Sequence, residues 1–179
     1  RFVTHGADPK RNIFDQYKDK LLGEIIETRN NESPYVRLAR NALETYVNEG
    51  TIISTPDWVP EEMLENRAGV FVSIKKSGKL RGCIGTISPE RGSIAEEIIY
   101  NALCAGIRDP RFNPVERHEL PNLVYSVDVL KEPESIDSIN ELDVLKYGVI
   151  VSAKGRSGLL LPNLEGVDTV EEQVSIALR

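Results

Sequence analysis

Residues 68–87 read AGVFVSIKKSGKLRGCIGTI. Valine, isoleucine and phenylalanine alternate with smaller or polar residues over 68–75, the period of a half-buried strand. A second run, 79–87, follows after Lys76, Ser77 and Gly78. Two short strands joined by so few residues make an antiparallel hairpin. A three-residue loop puts Gly78 where a left-handed residue is wanted. It also sets Val70, Val72 and Ile74 beside Ile84, Gly82 and Leu80, which gives one coherent apolar face. A two-residue loop would mix Arg81 into that face, so the three-residue loop is the expected one. Arg81 and Cys83 then share the opposite face with Phe71 and Ser73.

The elements around the hairpin follow from caps and breakers. Ser33-Pro34 reads as an N-cap with proline at the first helical position, and Gly50 ends that helix. Ser93 and Glu96 form an S-x-x-E capping pattern ahead of a helix whose buried stripe runs through Ile94, Ile98 and Ala102. Cys104 falls off that stripe, beside Glu97 and Tyr100. Prolines at 110, 114 and 121 mark an irregular loop. LVYSVDVL (residues 123–130) alternates as a strand, with Ser126 and Asp128 on one side. GVIVSAKGRSGLLLP (148–162) reads as a second hairpin turning at Gly155 to Gly158, and a last helix follows Asp168. Strands joined as hairpins beside helices predict an α+β fold with a mostly antiparallel or mixed sheet and flanking helices. Residues 1–32 read differently. Phe14, Tyr17, Leu21 and Ile25 recur at helical spacing, an amphipathic helix that acts as a linker or as the tail of a preceding domain. The domain proper spans 33–179 and reads as truncated at its C-terminus.

The chain has 179 residues and a net charge of −6. An acidic chain without a basic stripe is a poor duplex nucleic-acid binder. No apolar run approaches the ~20 residues of a membrane span, and no signal-peptide pattern opens the chain. Two cysteines, Cys83 and Cys104, are too few for a disulfide framework, which points to a reduced, cytoplasmic location. Two histidines, His5 and His118, show no metal-ligand spacing with them, so no metal is expected. No cofactor is indicated.

LRGCIGTI (80–87) resembles the signature of the AMMECR-one domain family, also called AmmeMemoRadiSam system protein A. DPRF (109–112) followed by Pro114, ELP (119–121), YSVDVL (125–130), GLLLP (158–162) and VDTVEEQVSIAL (167–178) are similar to its later blocks, in order, over roughly residues 34–179. The resemblance implies a larger and a smaller lobe with the signature near the cleft between them. It implies the company of a Memo-like, extradiol-dioxygenase-type protein and a radical-SAM protein. It implies no particular reaction.

Several side chains carry two readings each. Cys83 is either a small packed residue or a thiolate nucleophile that needs a nearby cation. Arg81, two positions away, would be that cation or an anion clamp. Gly82 and Gly85 either permit close packing or bring backbone N–H groups, with Thr86, up to a ligand. Asp109 and Arg111 form a local lock, or else Asp109 orients Arg81 or acts as a base while Arg111 binds substrate charge. Ser126 lines the same region. The leading expectation is a small enzyme acting on a small anionic or carbonyl substrate, with Cys83, Arg81 and Asp109 catalytic and Gly82, Gly85, Thr86, Arg111 and Ser126 binding it. The alternative is a non-catalytic adaptor that docks on the Memo-like or radical-SAM partner.

Overall fold

The computed structural model describes residue 20 and residues 22–153, 155–164 and 166–178. Residues 22–30 are helical (α1). Of the amphipathic positions named above, Ile25 is buried, while Phe14, Tyr17 and Leu21 lie outside the described residues. The chain divides into two compact units, residues 1–131 and 132–179. Both mix helices with antiparallel strand pairs, so the fold class is α+β.

In the first unit, Ser33 caps α2 (Pro34–Glu49) by accepting the Val36 N–H, and Gly50 ends it in the left-handed region at φ 71°. A short helix, α3 (Glu61–Glu65), leads to β1 (Val70–Lys76) and β2 (Lys79–Gly85). α4 (Ile94–Ile107), a 3-10 helix (Arg117–Asn122) and β3 (Leu123–Val129) follow. The sheet order is β2-β1-β3, antiparallel throughout. One face carries Val70, Val72 and Ile74 into a core with Leu38, Leu43, Met63, Ile98 and Leu123, all fully buried. Each such side chain contributes roughly 1.5–3 kcal/mol by leaving water.

The hairpin corrects the expected register. Lys76 pairs with Lys79 and Lys75 with Leu80, so the loop is the two-residue Ser77-Gly78. Both residues have positive φ, 51° and 77°, as a tight turn matched to strand twist requires. The register then slips between Ile74 and Lys75, and from there Ile74 faces Gly82 and Val72 faces Ile84. The bulge falls at Arg81. It restores the apolar face that a two-residue loop alone would have broken, and leaves Leu80 exposed.

α4 also departs from its helical wheel. Glu97 and Cys104 are both buried, and Tyr100 is half-buried under the Arg91 guanidinium, 3.8 Å from its ring. The loop after β2 covers that flank. Glu97 holds it there, accepting the Glu90 and Arg91 N–H groups at 2.8 Å each.

In the second unit β4 (Val149–Ala153) pairs with β5 (Arg156–Leu160), and α5 (Val170–Ala177) packs on both. The chain reverses before Arg156, with Gly155 at φ 78°. Gly158 is not in the turn but inside β5, where the Ala177 carbonyl leaves no room for a Cβ. Among the described residues no helix is long and apolar enough to cross a membrane.

Candidate active site at the Cys83 face

β2 is an edge strand, so alternate residues turn their main-chain N–H and C=O away from the sheet. Cys83 is one of them, and the loop that follows α4 meets it. Asp109 Oδ2 accepts the Cys83 N–H at 2.9 Å, and Arg111 Nη2 donates to the Cys83 carbonyl at 3.0 Å. The carboxylate and guanidinium are joined to each other, Nε to Oδ1 at 2.9 Å and Nη2 to Oδ2 at 2.7 Å. Together they stand in for a neighbouring strand. Asp109 is buried, and the Arg111 hydrogen bond, then the backbone N–H groups of Cys83 and Arg111, outweigh its desolvation and hold its carboxyl well below the usual carboxylate range.

Arg81 reaches elsewhere. Its Nε and Nη2 donate to Glu119 Oε1 and Oε2 at 3.1 and 2.8 Å, and Lys76 Nζ lies 2.8 Å from Oε1. Two cations on one buried carboxylate, Arg81 foremost, push the Glu119 pKa well down. Asp109 therefore does not orient Arg81. The guanidinium that bonds to Cys83 is Arg111, through the Cys83 carbonyl, and its pKa is raised first by Asp109. Spacing along the strand made Arg81 the nearer candidate; the bulge at Arg81 and the loop carrying Arg111 reversed that.

Cys83 itself is half-buried, and its sulfur accepts the Ser73 hydroxyl at 3.1 Å. Across the sheet, Cys83 pairs with Ser73 and Ser73 with Ser126, a polar row over three strands. Ser126 is exposed. Gly82 lies against the Ala105 carbonyl and Gly85 against the Phe71 ring, so both glycines permit close packing. Thr86 is an anchor: its hydroxyl donates to Glu97 Oε1 at 2.9 Å and accepts the Asn101 amide at 3.3 Å. His118 is exposed beside Glu116. Glu119 carried no assigned role in the sequence, although it stood in the ELP block. Ser73 was placed on the right face without one. Among the described residues no three His, Cys, Asp or Glu side chains are grouped to hold a metal ion.

Comparison with known proteins bears on this arrangement. The AMMECR1 family profile matches residues 36–179. A protein of Clostridium acetobutylicum is 54% identical over 162 residues, which cover 89% of this chain and 34% of that one. This chain thus spans about a third of that relative's length. A protein of Thermotoga maritima is 52% identical, covering 82% of this chain and 84% of its own. The crystal structure of an uncharacterised protein from Pyrococcus horikoshii is similar with a TM-score of 0.67 at 38% identity, over 73% of this chain and 68% of that one.

Proposed function

The chain belongs to the AMMECR1 family, and from that premise we propose that its Cys83 face is a small-molecule site whose thiol adds to a carbonyl or acyl carbon. One observation carries the reading. The Cys83 main chain is clamped at both N–H and C=O, its sulfur accepts a serine hydroxyl, and the half-exposed Arg111 guanidinium is held on the Cys83 carbonyl. A fixed thiol beside a cation is the arrangement that favours thiolate chemistry. In this reading Cys83 is the reactive group, Arg111 the charge that draws an anionic substrate, Asp109 the residue that positions both, and Ser126 part of the lining. Arg81, Gly82, Gly85 and Thr86 act through the scaffold. The reading places the domain in the reduced cytoplasm and gives it no nucleic-acid partner, in keeping with its free cysteines and net charge of −6.

Alkylation by iodoacetate and iodoacetamide tests it, with Cys104→Ser as background and Cys83→Ser as blank. Cys83 should react in the folded protein. The ratio of anionic to neutral probe should exceed that of the urea-unfolded chain, and Arg111→Gln should lower it. A Cys83 that reacts only after unfolding would end the proposal.

The adaptor reading rests on a different feature. Leu22 and Ile26, one turn apart on α1, are 46% and 53% exposed, an apolar pair that a docking partner would cover. A Memo-like or radical-SAM protein is the partner the family resemblance suggests. A native mass spectrum with either protein at micromolar concentration should show a complex, lost on Leu22→Ser with Ile26→Ser; free components only would dismiss it.

A further inference from the structure

Away from Cys83, the first unit has a recess of about 330 Å³ lined by Arg29, Glu44, Asn48, Arg117, Leu120 and Pro121. Its donors and acceptors do not balance. The Glu44 carboxylate and the Leu120 and Asn48 carbonyls are already engaged. Glu44 Oε1 takes Arg29 Nη2 at 2.9 Å and Oε2 takes Arg40 Nη1 at 3.4 Å. The Leu120 carbonyl takes Arg29 Nη2 at 2.6 Å, and the Asn48 carbonyl takes Arg117 Nη2. The donors are in surplus. Among the described residues, Arg29 Nε is buried without a partner. Among the described residues Arg29 Nη1, Arg117 Nε and Nη1, and the Asn48 amide also donate to nothing, and Arg117 and Asn48 are exposed. Of the residues lining it, two are arginines, Arg29 and Arg117, and one is a carboxylate, Glu44. The recess is therefore locally positive in a chain of net charge −6.

We propose that this recess binds a small carboxylate. A flat two-oxygen anion matches the edge of a guanidinium, the Asn48 amide adds a neutral donor, and Leu120 and Pro121 offer an apolar wall to a short carbon chain. The site is distinct from the Cys83 face and stands without the reading given for it.

The test is a titration of the full chain with succinate, with inorganic phosphate and with chloride, at constant ionic strength. The readout is the NMR shifts of the Asn48 side-chain amide and the Arg117 Nε–H. Succinate should saturate these shifts, and chloride should not. Arg117→Gln should weaken binding about tenfold or more, the loss expected for a charge-assisted hydrogen bond, with the Asn48 amide as its reporter. Lys131→Gln removes the same charge from another exposed position and should leave binding unchanged. Equal loss in both variants, or shifts that track chloride as well as succinate, would overturn the site. Saturation by phosphate alone would overturn the carboxylate class.

Discussion

Glu119 shows how much one side chain can hold. Its carboxylate is 9% exposed and binds both Arg81, 14% exposed, and Lys76, 37% exposed. Removing the charge leaves Arg81 mostly buried and unpaired, a loss of about 3–5 kcal/mol for a buried pair, toward the lower end because Lys76 meets water. Glu119→Gln should therefore unfold at markedly lower urea at pH 7. The folded pKa is depressed, so this stabilisation is complete above the unfolded carboxyl value of ~4.3 and fades as pH falls below it. The gap between wild type and variant should narrow in urea titrations as pH drops from about 5 toward 3. A gap unchanged with pH would mean that packing, not charge, is what Glu119 contributes.

At the scale of elements, the contact between β2 and α4 depends on Gly82. An added Cβ would meet the Ala105 carbonyl, which belongs to the helix backbone and cannot rotate away. Gly82→Ala should destabilise by about 1–3 kcal/mol, the usual cost of overpacking, and lower Tm by several degrees. Calorimetry of the variant against wild type reads this directly; an unchanged Tm would mean that α4 shifts freely off the strand. Helices α2 and α4, their caps and the existence of the hairpin were legible because each signal lies within a few residues, whereas α3 and the 3-10 helix fell in stretches that read as loops. Ser33, Gly50 and Ser93 acted as their chemistry dictates. The loop length was not legible. A bulge is defined by its partner strand, and with Ser77 and Gly78 both left-handed the slip at Arg81 could occur.

For the whole molecule, the apolar core of the first unit lies between Leu38 and Tyr125. Residues 131–141 are all exposed and carry Glu132 and Glu134. Such a segment is where proteases cut. Limited digestion with a Glu-specific protease should cleave there first and release a stable fragment ending near residue 132 that still melts cooperatively. Rapid loss of that fragment would show that the larger unit needs the smaller one to stay folded.

The sequence by itself determined the α+β class, the caps of α2 and α4 and the buried face of β1, along with a family signature in which Cys83 and DPRF stand. Those depend on periodicity and on backbone preferences that each residue carries alone. Only the tertiary structure decided that Arg111 and not Arg81 bonds to Cys83, why Glu119 matters and which arginines line the recess beside Leu120. Arg111 lies 28 residues from Cys83 along the chain and Glu119 lies 38 from Arg81. Hydrogen bonds across such distances are chosen by how β2, α4 and the loop between α4 and β3 pack, and no local pattern encodes that choice.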